Sequence, residues 1–461
     1  MRKLFGTDGV RGTANKYPVT AEIALKLGKA AAVVLTEGKK KPVFLIGKDT
    51  RLSGYMLENA LTAGLTSMGA DVFLVGPVPT PAVAHLVRSF AADAGIMISA
   101  SHNPYTDNGI KFFDLNGHKL PDDVEEKIEE IVLQKEIKTD HVTSKEIGRA
   151  HRIDDAKGRY IEFSKASIDN TSLKGLKIVL DCANGAAYKV APDVFRELGA
   201  EVIVLSNKPD GNNINKECGA LHPEVLREAV LGFQANLGIT LDGDADRIFM
   251  VDEKGNILDG DYILAIAGLD FLKKNKLKKD TIVVTNYTNL AFDALFKKHG
   301  GNVVRVKNGD RYVIEEMNKS DYNVGGEYSG HIIFSDYNST GDGIIAGLQI
   351  LRIMKEQKKS LFKLSSQLKK YPQVLLSIAV KEKKPLSKIE SFQEEIKRVE
   401  EELGTEGRHL IRYSGTEKVC RIMIEGKDED LINKIAKRIS KIIKKEVRWF
   451  KWYSLQKKKQ Y

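Results

Sequence analysis

Cysteine is nearly absent. Cys182, Cys218 and Cys420 are the only three in 461 residues and stand far apart, with no C-x-x-C pair. That argues against both a disulfide framework and a zinc site. Long apolar runs are missing too: nothing approaches the ~18 uninterrupted apolar residues that a membrane span requires. The opening Met1-Arg2-Lys3-Leu4-Phe5-Gly6-Thr7-Asp8-Gly9 turns polar too soon for a signal peptide, so a cytoplasmic location is expected. What the chain has is length and balance. Its 461 residues exceed one hydrophobic core and suggest about three or four domains. A content of 42% hydrophobic and 29% charged residues is that of a globular protein.

The formal net charge is +10. Much of it sits in lysine clusters on amphipathic stretches, such as Lys273-Lys274-Asn275-Lys276 and Lys441-Ile442-Ile443-Lys444-Lys445. These read as solvated helix faces, although a basic balance also attracts anionic substrates. In residues 446–461, Trp449, Phe450, Trp452 and Tyr453 alternate with Arg448 and Lys451, and Lys457-Lys458-Lys459 follow. Such a tail can bind nucleic acid or a membrane surface. Docking of its aromatics on their own domain is the favoured reading, and nucleic acid is not expected as a partner.

Strand and helix patterns alternate along most of the chain, giving an α/β fold class. Residues 1–154 form a first unit, with buried-strand runs at Val43–Gly47, Val72–Val75 and Gly95–Ile98 and a helix over Gly54–Met68. Residues 155–256 form a second, in which the strand Leu237–Leu241 precedes a hairpin at Ile248–Leu258. Residues 257–367 form a third, with strands Thr281–Thr285 and Asn302–Val306 and a glycine-rich loop at Gly325–His331. From residue 368 to 445 the pattern changes to α+β, and residues 446–461 are the basic aromatic tail.

Directly after Leu241 comes Asp242-Gly243-Asp244-Ala245-Asp246-Arg247. Three carboxylates at every second position repel one another unless a hard cation sits among them. A calcium loop is a poor match: Glu253 falls at position twelve, but Arg247 stands where glycine is required and the flanks read as strands. Three carboxylates leave room for water and a phosphoryl oxygen, which suits Mg²⁺ in phosphoryl transfer. Two segments offer phosphate chemistry. In Ser99-Ala100-Ser101-His102-Asn103-Pro104 a hydroxyl beside His102 can act as nucleophile or carry a phosphoryl group, ahead of a polar, glycine-bearing loop that supplies Lys111. At Arg412-Tyr413-Ser414-Gly415-Thr416, with Arg421 nearby, a turn offers backbone N–H groups, hydroxyls and guanidinium donors.

Five ordered motifs now stand together: Phe5–Gly12, Ser99–Pro104, Asp242–Arg247, Gly326–His331 and Arg412–Glu417. Over about residues 1–445 the chain resembles the α-D-phosphohexomutase superfamily. Gly309–Val313 and Thr340–Gly343 resemble its glucosamine branch more than its glucose and mannose branches. Two positions depart from that branch: Tyr328 replaces its usual glutamine, and Ala245 a frequent glycine. The resemblance implies three similar mixed α/β domains and a C-terminal α+β domain resembling TATA-binding protein, around a central cleft.

The resemblance also implies a chemistry. Ser101 carries the transferable phosphate, and Asp242, Asp244 and Asp246 hold Mg²⁺ with a phosphoserine oxygen. Arg247 orients the reacting phosphate, and Arg11 and Lys111 flank the sugar hydroxyl, with His102 beside the serine. Glu327, Ser329 and His331 select the sugar, and Arg412, Ser414, Gly415, Thr416 and Arg421 grip the phosphate that is not reacting. The expected reaction interconverts glucosamine 6-phosphate and glucosamine 1-phosphate through a sugar 1,6-bisphosphate, feeding UDP-N-acetylglucosamine synthesis. A phosphoglucomutase or phosphomannomutase is the alternative enzyme, and a silent sugar-phosphate sensor the alternative of another class. The expected partner is a small sugar phosphate, and a homodimer is admitted as the assembly.

Overall fold

The computed structural model describes residues 4–6, 8–36, 39–134, 137, 142–414 and 418–447. Gly415, Thr416 and tail residues 448–461 therefore lie outside the described residues. The chain divides into two compact units, one of residues 1–287 and 301–367, the other of residues 288–300 and from 368 onward.

Among the described residues the larger unit contains three sheets, whose buried apolar strands pack against helices. The first runs in the order Val10–Thr13, Asp107–Phe113, Ala94–Ile98, Val43–Lys48, Asp71–Pro77, Ala150–Arg152. Val43–Lys48 is parallel to both neighbours, whereas Asp107–Phe113 is antiparallel to Ala94–Ile98 and to Val10–Thr13. This corrects the reading of Asp107–Lys111 as a polar loop. It is a strand, and its buried polar side chains, Asn108 and Lys111, each have partners. Asn108 donates to Ser53 Oγ at 2.8 Å, and Lys111 meets three carboxylates.

The second sheet has the order Ile257–Leu258, Ile248–Asp252, Leu237–Leu241, Lys177–Asp181, Glu201–Leu205. The third has the order Asn302–Val306, Thr281–Thr285, Val324–Gly326, Ile332–Phe334, its first three strands parallel. The helix Gly343–Gln357 is started by Asp342, whose carboxylate accepts the Ile344 and Ile345 N–H groups at 3.1 and 2.9 Å. Tyr160 locks that cap with a 2.8 Å hydrogen bond to Asp342.

The smaller unit packs helices Glu390–Leu403 and Glu429–Glu446 on an antiparallel sheet of Gln373–Ala379, Val419–Gly426 and Gly407–Tyr413. Its core is built from Ile422, Ile424, Ile435 and Ile439. Buried Glu425 ties in residues 288–300, accepting the Leu290 N–H at 2.6 Å while pairing with Arg408 at 3.2 Å. All three cysteines are free and buried. No described helix is long and apolar enough to cross a membrane.

Candidate active site

Ser101 follows the buried strand Ala94–Ile98 and has φ 51, a left-handed conformation that a non-glycine residue adopts at a cost of about 1–3 kcal/mol. The surrounding hydrogen bonds hold it there. Its N–H donates to Ser99 Oγ at 2.9 Å, and Ser99 in turn donates to Asp49 at 2.7 Å. Its carbonyl accepts from Arg51 and from Asn215, both at 2.9 Å. Arg51, fully buried, also reaches the Asn103 carbonyl at 2.9 Å, the Asp107 carbonyl at 3.0 Å and the Pro104 carbonyl. One guanidinium thus fixes the whole loop, while its Nε pairs with Asp49 at 2.7 Å.

The aspartate run is the loop between the antiparallel strands Leu237–Leu241 and Ile248–Asp252. Ser101 Oγ donates to Asp242 Oδ2 at 2.6 Å. Gly243 is required by that approach, since a Cβ there would lie 2.6 Å from the Ser101 carbonyl oxygen. The three carboxylates bring oxygen atoms within 4.8 Å of one another and are all buried. Their oxygens are not used alike. Asp242 takes Ser101 on Oδ2 and the Arg247 N–H on Oδ1. Asp244 Oδ2 accepts from Thr80 Oγ1 at 2.6 Å and from Lys111 at 3.0 Å. Asp244 Oδ1 and Asp246 Oδ1 are buried without a hydrogen-bond partner. Burial and the Asp246 and Asp244 charges push Asp242 well above the usual carboxylate range. A set of hard oxygen donors, two of them open, in a site that resists carrying three charges alone, fits a divalent cation.

Beside this loop runs a closed ring of alternating charge. Asp8 meets Lys111 at 3.2 Å and Lys119 at 2.7 Å, and Lys119 pairs with Asp310. His331 lies 3.6 Å from both Asp310 and Asp246, and Asp246 lies 3.8 Å from Lys111. Burial opposes every charge in the ring, yet the partners outweigh it. Lys111 and His331 are raised, and Asp8 and Asp246 are held well below the usual range. His102, with Nδ1 3.4 Å from Ser101 Oγ, sits outside this balance: burial and Arg247 push it down to about 4.

A cavity of about 290 Å³ opens beside the ring, and among its walls are Arg11, Asp246, Arg247, Glu327, Ser329 and His331. The loop carrying the last three docks on the aspartate hairpin, Ile248 N–H donating to the Gly330 carbonyl at 3.0 Å. Tyr328 also lines the cavity and is 46% exposed.

The larger unit therefore brings together Ser101, His102, Lys111, the three aspartates, Arg247, Glu327, Ser329 and His331, with Arg11 joined to them through Asp8. In the smaller unit Arg412 and Arg421 stand directly opposite on adjacent antiparallel strands, and Ser414 is buried at the end of the first. Sequence reasoning missed Asp49, Arg51, Thr80, Lys119, Asn215 and Asp310 as members of the site. A signal for two of them existed: Lys48-Asp49-Thr50-Arg51 puts a charged pair directly after a buried strand. Thr80 and Asn215 carry no such mark.

Comparison with known proteins shows the family. Phosphoglucomutase/phosphomannomutase models match in chain order: α/β/α domain I over residues 2–138, domain II over 158–255, domain III over 259–371, and the C-terminal domain over 375–442. The chain belongs to the phosphoglucomutase/phosphomannomutase family of enzymes. Within that family it is similar to the phosphoglucosamine mutases. The protein of that name from Geobacter sp. (strain M21) is 54% identical over 448 residues, 97% of this chain and 99% of the relative. Among solved structures, a family protein from Burkholderia thailandensis superposes with TM-score 0.78 at 24% identity, covering 95% of this chain and 97% of that one. The Aspergillus fumigatus N-acetylphosphoglucosamine mutase, solved with GlcNAc-6P and magnesium, gives TM-score 0.67 at 18% identity, covering 96% of each chain. At those identities the likeness is one of fold.

Proposed function

We propose that the chain interconverts glucosamine 6-phosphate and glucosamine 1-phosphate through a phosphoserine at Ser101 and a glucosamine 1,6-bisphosphate intermediate. The observation that carries the reading is the 2.6 Å contact of Ser101 Oγ with one of three clustered, buried aspartates. The 54% identity to a phosphoglucosamine mutase supports the choice of sugar.

Asp242, Asp244 and Asp246 are the residues that would hold Mg²⁺, which when bound neutralises charge on the transferring phosphoryl group. The phosphorus–Oγ bond of phosphoserine breaks as phosphorus bonds to the free sugar hydroxyl, whose proton passes to a base. After the bisphosphate turns over, the other phosphate returns to Oγ and its sugar oxygen regains a proton. Lys111, kept charged by Asp244, Asp8 and Asp246 against the effect of burial, suits proton donation or stabilisation of an alkoxide. His102, pushed down to about 4, is a weak base at pH 7 and stands 3.4 Å from Ser101 Oγ, beside the reacting oxygen. Arg11 flanks the hydroxyl and Arg247 orients the phosphate. Glu327, Ser329 and His331 hold the sugar, and positioning supplies much of the remaining acceleration.

Arg412, Ser414, Gly415, Thr416 and Arg421 grip the distal phosphate. Arg412 and Arg421, directly opposite on adjacent strands, supply charge-assisted donors to a phosphate. The same reading expects domains at 1–154, 155–256, 257–367 and 368–445, a cytoplasmic enzyme and a homodimer, which sedimentation velocity distinguishes from a monomer. Turnover of glucosamine, glucose and mannose 6-phosphates tests the function. Preference for glucosamine 6-phosphate is expected, and preference for glucose or mannose would replace the reading by the phosphoglucomutase/phosphomannomutase alternative.

A further inference from the structure

The cavity lining leaves open polar atoms of two chemical kinds. The Nε atoms of Arg11 and Arg247 are buried without hydrogen-bond partners, and as donors they suit phosphate or hydroxyl oxygens. Thr285 Oγ1, Asn308 Oδ1 and Ser329 Oγ are buried and equally unpartnered, and each can accept. Thr285 is 1% exposed, so its hydroxyl is shielded from bulk water. A buried polar group with no partner costs about 1–3 kcal/mol, and open acceptors lining one cavity call for a ligand group that donates to them.

The fold explains how they meet. The strands Asn302–Val306, Thr281–Thr285 and Val324–Gly326 are parallel neighbours in one sheet. Ligands of such sheets gather beyond the carboxyl ends of the strands. Asn308 follows the first strand, Thr285 ends the second, and Glu327 follows the third; all three line the cavity. Glu327 accepts the Gly309 N–H at 3.2 Å and forms no ion pair among the described residues. Asp8, Asp246 and Asp310, by contrast, are matched by Lys111, Lys119 and His331.

An amide oxygen and a carboxylate only accept hydrogen bonds, and a hydroxyl can accept. A group with several donors and a positive charge is the matching ligand. We propose that Thr285 and Asn308, together with Glu327, bind the 2-ammonium group of the amino sugar and make this cavity select it over the 2-hydroxyl of glucose. The inference rests on the functional reading above and deepens it.

The test compares kcat/KM for glucosamine 6-phosphate and glucose 6-phosphate in the full-length Mg²⁺-loaded enzyme, in Asn308→Ala, Asn308→Asp and Thr285→Val. Asn308→Ala and Thr285→Val are expected to lower the glucosamine value by about 10- to 100-fold while changing the glucose value less than about threefold. Asn308→Asp, which keeps an acceptor, is expected to retain most of the glucosamine activity. Thermal melting within a few degrees of the parent establishes that the variants fold, and valine preserves the shape of threonine at the buried site. Equal losses with both sugars, or unchanged preference, would overturn the inference and leave the function intact. Failure of the parent enzyme on glucosamine 6-phosphate would instead overturn the functional reading.

Discussion

The aspartate loop and the sugar cavity share Asp246 and Arg247 but use their buried polar atoms in opposite ways. Around Ser101, protein groups occupy almost every polar atom. Arg51 alone binds four carbonyls of the serine loop, and Thr80 and Lys111 saturate one oxygen of Asp244. What is left open there is anionic: Asp244 Oδ1 and Asp246 Oδ1. In the cavity, donors and acceptors of both kinds are left open, on Arg11, Arg247, Thr285, Asn308 and Ser329. The difference teaches a division of labour. On the proposed function, the Ser101 side is preorganised for charge that develops during reaction, whereas the cavity leaves its hydrogen bonds to a substrate.

That contrast is most sharply broken at Ser101. Ser101→Ala is expected to reduce kcat by at least about 10³-fold without loss of folding, because it removes the hydroxyl set against Asp242. Steady-state turnover and the intact mass of the protein check it; near-normal kcat would remove the serine from the mechanism. Next comes stability. Arg51→Met strands Asp49 and four carbonyls in the interior and is expected to cost about 3–5 kcal/mol, read by urea unfolding. Thr285→Val and Asn308→Ala, on the cavity side, are expected to change stability by about 1 kcal/mol or less. Equal losses at both sides would erase the proposed distinction.

Acid should also act on the transfer-centre side. His85 stacks on Phe163 at 3.8 Å between centroids, in the helix Thr80–Ser89 whose first residue holds Asp244. Burial pushes its pKa down to about 4 from 6.5, helped by Arg88 and Arg159. Between those two values the unfolded chain binds more protons than the folded one. This contribution to stability is therefore present above about pH 6.5 and lost as pH falls toward 4, by about 1–3 kcal/mol. Denaturant melts of the parent and His85→Gln across that range check it, the variant giving the flatter profile. The smallest effect concerns Thr80 itself. Thr80→Val removes a hydrogen bond that orients Asp244 and is expected to weaken Mg²⁺ binding about 10-fold. A Mg²⁺ titration of activity reads this, with kcat largely recovered at saturating metal.

How much was legible in the sequence depended on local pattern. Apolar runs such as Val43–Gly47, Leu237–Leu241 and Thr281–Thr285 predicted strands that the structure contains, because burial on both faces leaves a continuous hydrophobic signature. Asp107–Phe113 was misread because its buried polar residues find partners distant in sequence. The three aspartates suggested a cation site by their spacing, and the structure gathers them in a buried cluster able to hold one. Arg51, Thr80 and Asn215 were invisible for the opposite reason, since each acts through a contact spanning 50 to 164 residues. The departure at Ala245 acquires a physical meaning: its φ of 58 is a left-handed conformation in which glycine is unstrained. Tyr328, the other departure, lines the cavity, but the open acceptors there belong to Thr285, Asn308 and Ser329.

The central claim is that the phosphate travels through Ser101. Enzyme carrying a labelled phosphate on Ser101 can be mixed with unlabelled glucosamine 6-phosphate and Mg²⁺ and followed by rapid quench. The account predicts that label leaves the protein for a sugar bisphosphate as glucosamine 1-phosphate forms. Formation of glucosamine 1-phosphate with the label still on the protein, or release of the label only as inorganic phosphate, would contradict it.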